Sequence, residues 1–84
     1  MRGDNHFKTS DTGLATYLIT QGFTLLLIDY SQPRYEFNFT LSLEVTNHSD
    51  KYLTGRAQTD PASFLRVNKK LLRIIHKQLQ WQDD

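Results

Sequence analysis

Read for the alternation of apolar and polar positions, the chain divides into five segments. Leu14, Tyr17, Leu18 and Gln21 recur at i, i+3, i+4, i+7, the rhythm of one helical face. Ser10 stands where its hydroxyl can cap that helix, Asp11 falls in a first turn that favours an anion, and Gly22 is a natural stop. The predicted helix covers residues 10–21, with Gly13 marking either close packing or nothing. Residues 23–30 (Phe-Thr-Leu-Leu-Leu-Ile-Asp-Tyr) are almost continuously apolar and bounded by turn formers, the pattern of a strand mostly buried on both faces. After the Pro33 turn, residues 35–41 alternate strictly. Tyr35, Phe37, Phe39 and Leu41 share one face and Glu36, Asn38 and Thr40 the other, which predicts a half-buried antiparallel strand in a hairpin with 23–30.

Residues 42–55 admit two readings. The alternation extends through Leu43 and Val45 as one long strand. Alternatively, Ser42 caps a helix with Val45, His48, Ser49, Tyr52 and Leu53 on one face and Gly55 as its stop. The Tyr52-Leu53-Thr54-Gly55 exit favours the helix. The last segment is the clearest. Asp60-Pro61 places an N-cap before a proline whose missing N–H costs nothing there. Phe64, Leu65, Asn68, Leu71, Leu72, Ile75 and Leu79 then form an apolar stripe on a helix predicted over 61–81. Arg66, Lys69, Lys70, Arg73 and Lys77 cluster within about 100° on the other side. Val67, Ile74 and Trp81 fall on the flank between stripe and basic face. The expected architecture is an α+β domain spanning residues 7–81, in the order α-β-β-α-α, with helices packed on one face of the hairpin sheet. Residues 1–6 are expected to be disordered and 82–84 frayed.

At 84 residues there is room for one small domain, which buries only about 60% of its unfolded surface and so gains a few kcal/mol of stability. The absence of cysteine removes disulfides, thiolate metal sites and cysteine nucleophiles. The longest apolar run, Leu25 to Ile28, is far below the ~20 residues that span a bilayer. The start carries no basic segment followed by an apolar one, so the expectation is a cytoplasmic protein without a secretory leader. In that setting the Arg2-Gly3-Asp4 triplet reads as chance, and the acceptor patterns at Asn38-Phe39-Thr40 and Asn47-His48-Ser49 as inert.

Charge changes the picture more. The net charge of +1 is a cancellation. Arg2, Lys8 and Arg34 against Asp4, Asp11, Asp29, Glu36, Glu44 and Asp50 leave residues 1–50 at −3. Residues 51–84, with seven cations against Asp60, Asp83 and Asp84, stand at +4. Between Pro61 and Gln82 there is no acidic residue, so the last helix lacks the i, i+4 ion pairs of an ordinary solvated helix. A face of this kind suits the phosphate backbone of a nucleic acid, read without base specificity. It equally suits plain solvation, or pairing with the acidic front half.

Candidate chemistry is otherwise sparse. Adjacent His48, Ser49 and Asp50 diverge by about 100° each on a helix and cannot form a nucleophile–base–orienter chain. His6, His48 and His76 show no metal-ligand spacing, the glycines match no phosphate loop, and nothing implies a cofactor. The alternating aromatics Tyr35, Phe37 and Phe39 resemble a base-stacking platform, but helices need a sheet face to pack on, and a core role is the better reading. One apolar set of strand 23–30 should be left on the outer sheet face. With Val67, Ile74 and Trp81 it suggests a partner surface or a homodimer, and an exposed strand edge offers a further docking route.

Phe7-Lys8-Thr9-Ser10-Asp11, Leu14-Ala15, Tyr17-Leu18, Gly22-Phe23, Tyr52-Leu53 with Gly55-Arg56-Ala57, and the Asp60-Pro61 helix start together resemble a small bacterial and phage domain family of unknown function. The likeness runs over most of residues 7–79. The chain departs from it at 42–50, where the family is acidic and helical. The resemblance brings no catalytic residues. It implies a setting in bacterial genomes and mobile elements, and with it an accessory or regulatory subunit. The expected function is therefore a non-catalytic module acting with nucleic acid or a nucleic-acid-bound protein complex through Arg66, Lys69, Lys70, Arg73 and Lys77. The alternative is a protein-interaction or homo-oligomerisation module, a small regulator or inhibitor of a protein target. A small hydrolase or transferase ranks third.

Overall fold

A computed structural model of the protein describes residues 6–82. Its elements are β1 (His6–Thr9), α1 (Thr12–Thr20), β2 (Leu25–Asp29), β3 (Glu36–Thr40), α2 (Leu43–Leu53) and α3 (Pro61–His76). The fold is α+β, with the expected α-β-β-α-α succession preceded by one short strand. That strand enlarges the expected hairpin: β1 pairs antiparallel with the free side of β3, giving a three-stranded sheet of order β1-β3-β2. His6, expected in a disordered terminus, lies opposite Thr40 in the ladder. The Arg-Gly-Asp triplet and Asp83-Asp84 lie outside the described residues.

α1 is capped by Asp11 rather than Ser10; its carboxylate accepts from the Leu14 amide at 3.2 Å. The side chain one residue further on wins because it reaches the third amide of the helix, the geometry an N-cap needs. α2 resolves the middle segment as a helix, with the Ser42 hydroxyl accepting from the Val45 amide at 3.1 Å. α3 begins as expected, the Asp60 carboxylate accepting from the Ser63 amide and Pro61 following. It stops at His76, five residues short of the expected end. There Gln78 adopts φ 55°, and the Leu79 and Gln78 amides fold back onto the Ile74 and Ile75 carbonyls. Gly22 (φ 96°) and Gly55 (φ 77°) end α1 and α2 with the same paired bonds. All three helices therefore close with one motif, twice on glycine and once on glutamine.

α1 and α3 lie against the sheet face that carries Phe37 and Phe39, and their core contribution is Leu14, Ala15, Tyr17, Leu18, Leu71 and Ile74. α2 packs on α1. The buried Thr16 hydroxyl bonds to the Thr12 carbonyl at 2.8 Å and meets the Asn68 side-chain amide at 3.0 Å. This contact explains an asparagine inside the apolar stripe of α3.

The second strand leaves apolar residues on the outer face, as expected, but not an alternating set: Leu26 and Leu27 are 47% and 46% exposed, while Leu25 and Ile28 are buried. The register explains the odd spacing. Leu25 pairs with Phe39 and Ile28 with Phe37, but two residues, Leu26 and Leu27, stand opposite Asn38. This β-bulge lets residues three apart both face the core, which strict alternation forbids. The Asn38 side chain, buried on the outer face beside the bulge, donates towards the Glu36 and Leu27 carbonyls. It is accordingly not an accessible modification acceptor.

Candidate functional site

α3 buries a different arc from the one its apolar stripe suggests. Leu71 and Ile74 are buried, while Leu65 and Leu72 are 66% and 48% exposed. The helix is thus rotated so that its inner face centres between Phe64, Leu71 and Ile74. Its outer face carries Arg66, Lys69, Arg73 and Lys77, bordered by Leu65 and Leu72. These four cations recur at helical spacing over about 16 Å of axis, at 1.5 Å per residue.

Of the five expected contact residues, Lys70 is placed differently. Its ammonium donates to the Gln82 carbonyl at 2.7 Å and sits 4.3 Å from the centroid of the Trp81 ring. It secures the segment after α3 rather than standing on the open face. Among the described residues the Asp50–Arg56 contact at 3.7 Å is the ion pair, and no carboxylate reaches ion-pair distance of Arg66, Lys69, Arg73 or Lys77. The acidic residues of the front half therefore make no ion pair with this face within those residues. Asp60 is the nearest acid along the helix. Its carboxyl is held below the ordinary aspartate range mainly by the Ser63 hydroxyl and amide, with a smaller contribution from Arg66.

Of the residues expected to form a partner surface, Val67 is half-buried and the other two are drawn towards the core. Ile74 is only 9% exposed and belongs to the core, and Trp81 packs against that core under Lys70. The reason is the chain reversal at Gln78, which returns residues 79–82 over β2. Tyr30 donates from its hydroxyl to the Leu79 carbonyl at 2.6 Å. The Gln80 side-chain amide accepts from the Ile28 amide at 2.7 Å and donates to the Ile28 carbonyl at 2.8 Å. An exposed strand edge is the expected docking route; the β2 edge is covered at its centre by this side chain. The apolar surface left over among the described residues includes Leu26 and Leu27 on the outer sheet face, Leu65 and Leu72 beside the cations, and Leu41, Leu43, Leu53 and Leu79 elsewhere.

Motif reading also missed a cleft of about 290 Å³ between α1 and α2, lined by Tyr17, Gln21, His48, Lys51, Arg56 and Gln58. The Tyr17 hydroxyl and His48 Nδ1 are 3.1 Å apart at its wall. The only sequence signal was the spacing of His48 and Lys51, which share a helical face, and it says nothing of the partner residues on α1.

No helix among the described residues is long and apolar enough to cross a membrane. No group of three or more histidine or carboxylate side chains there could hold a metal ion. Neither a curated protein nor a solved structure matches the chain. The model of one family does match, over residues 4–77, a span that takes in every helix and strand and stops short of the Gln80 strap. The chain therefore belongs to the family described as Domain of unknown function (DUF5659).

Proposed function

We propose that the protein is a non-catalytic module that binds the phosphate backbone of nucleic acid, alone or within a nucleic-acid-bound protein complex, through Arg66, Lys69, Arg73 and Lys77. One observation carries this reading: these cations stand on the exposed side of α3 with no carboxylate at ion-pair distance among the described residues. Exposed cations outside any ion pair have counterion-release energy to gain from a polyanion. The bordering Leu65 and Leu72 add apolar contact area for sugar or for a neighbouring protein. Contacts of this kind position a backbone and carry no base sequence. A bacterial or mobile-element setting, implied by the family resemblance, agrees with an accessory role of this type.

The test is retention on duplex DNA and on single-stranded RNA at low salt. Lys69→Glu with Arg73→Glu reverses two exposed charges in the middle of the face and should abolish retention, with at most about 1 kcal/mol of stability lost to the anion placed in the last turn of α3. Retention that survives the reversal rejects the reading.

A second reading rests on Leu26 and Leu27, nearly half exposed on the outer sheet face. On this reading the chain is a protein-interaction or self-association module. It predicts a mass above the monomer in light scattering that returns to the monomer in Leu26→Lys with Leu27→Lys. A monomer at every concentration excludes self-association.

A further inference from the structure

We propose that the cleft between α1 and α2 is a second anion site, independent of the α3 face, which takes a small phosphate-bearing ligand. Its lining consists of Tyr17, Gln21, His48, Lys51, Arg56 and Gln58, and it shares no residue with the α3 cations. Two cations and no carboxylate line a cavity whose other walls are hydroxyl, imidazole and amides. A site rich in donors and positive charge favours an oxyanion.

The back wall is built rather than incidental. Tyr17 is 2% exposed, yet its hydroxyl stands at the cleft, held 3.1 Å from His48 Nδ1. The imidazole is fixed from another side by Phe23, edge-on at 5.3 Å, and the Tyr17 ring by Tyr52 at 5.6 Å. The floor of the cleft is therefore rigid, which lowers the ordering cost of binding. Lys51 and Arg56 project from the rim and are exposed. Arg56 is oriented by the Thr54 hydroxyl, 3.0 Å from its Nε, and by Asp50 on the guanidinium. An exposed ion pair at 3.7 Å contributes little, so Arg56 can exchange this partner for a more highly charged one. A guanidinium fork and an ammonium over one cavity fit the several acceptor oxygens of a phosphate better than the two of a carboxylate. At about 290 Å³ the cleft lies at the lower end of ligand pockets and admits a phosphate monoester or one terminal phosphate of a larger molecule.

The experiment is a titration of the full chain with inorganic phosphate at constant ionic strength, followed by amide chemical shifts. The expected result is saturable shifts at Tyr17, Gln21, His48, Lys51 and Arg56 with a common dissociation constant. That constant should weaken at least about tenfold in Lys51→Met with Arg56→Met, since charge-assisted bonds are lost. It should be unchanged in Lys69→Glu with Arg73→Glu. Both substituted rim residues are exposed, and the single Lys51→Met, expected to weaken binding in the same direction, serves if the double variant does not fold. Absence of saturation overturns the proposal. So do shifts erased by the α3 charge reversal, because phosphate would then be reporting the other face. Equal affinity for acetate assigns the cleft to carboxylates and overturns the phosphate assignment.

Discussion

The side-chain amide of Gln80 pairs with both backbone groups of Ile28 that point away from the sheet, at 2.7 and 2.8 Å. A single glutamine thus stands in for one residue of a fourth strand. An edge strand otherwise presents unpaired donors and acceptors to any passing chain. Gln80→Ala removes both bonds and opens the Ile28 edge to water, and should cost about 0.5–1.5 kcal/mol in denaturant unfolding, the net range for a typical hydrogen bond. The Ile28 amide should exchange with solvent markedly faster, while amides within α1 do not. An unchanged Ile28 exchange rate would show that the strap is not formed in solution.

A second contact is defined by what is missing. The Tyr52 hydroxyl occupies the space where a Cβ on Gly13 would sit, closer than real Cβ contacts allow. Gly13→Ala should therefore destabilise the domain by about 1–2 kcal/mol through overpacking, even though alanine is the better helix former. Tyr52→Phe removes the offending atom and leaves the ring carbon Cζ at 3.4 Å and the Asp11 carboxylate at 3.3 Å from the added Cβ. In that background the Gly13→Ala substitution should become neutral or stabilising. A double-mutant cycle by chemical denaturation should return a coupling of about 1 kcal/mol or more. Additive effects would mean that Tyr52 turns aside without cost.

The same residues show what was legible in the chain. Gly22 and Gly55 announced helix ends because only glycine takes the left-handed conformation freely. Gln78 does the same task with no compositional signal, so α3 read five residues too long. The Phe37 and Phe39 face was plain from alternation, but the bulge at Leu26 depends on pairing with Asn38 and has no local mark. The short β1 strand gains its stability from pairing with the distant β3, and Gln80 meets Ile28 across 52 positions. The cations of α3 were visible from spacing. Which leucines shared their side was not, because leucine at a helix boundary is compatible with either environment and tertiary packing decides. The cleft of Tyr17 and His48 joins two helices and could be seen only once they were packed.

Gln78 gives a stability prediction in the opposite direction. Its side chain is exposed, and its φ of 55° carries a steric cost that glycine escapes. Gln78→Gly should raise stability by about 0.5–1 kcal/mol, less the entropy that glycine adds to the unfolded chain. Gly22→Ala should lower it by a similar amount, for the mirrored reason. Thermal unfolding of the two variants decides it, and loss of stability in Gln78→Gly would contradict the assigned turn.

The cap of α3 sets a pH dependence. Asp60 accepts from both the Ser63 hydroxyl (2.9 Å) and amide (3.0 Å), which favour the ionised carboxylate and lower its pKa. The unfolded carboxyl titrates at its ordinary value, about 3.9. The folded group binds its proton less readily, so its stabilising contribution is complete above that value and is lost as pH falls through the lower folded pKa. The stability difference between the wild type and Asp60→Ala should therefore be flat from neutral pH down to about 5 and shrink below about 4. A difference that persisted in full at the lowest pH would assign the cap to the neutral side chain.

The salt dependence of binding counts the cations that touch a polyanion. Each neutralised phosphate of duplex DNA contributes about −0.9 to the slope of log affinity against log salt concentration. If Arg66, Lys69, Arg73 and Lys77 all engage, the slope is about −3.6, and Lys69→Ala brings it to about −2.7. Lys70 gives the internal control, because its ammonium is directed to Gln82 and Trp81. Lys70→Ala should leave the slope near its original value while loosening the segment that covers β2, seen as faster exchange at Ile28. A slope near zero in the wild type would remove the phosphate backbone as a ligand of α3. A slope that falls equally in Lys70→Ala and Lys69→Ala would show diffuse attraction to the whole basic half, without a defined face.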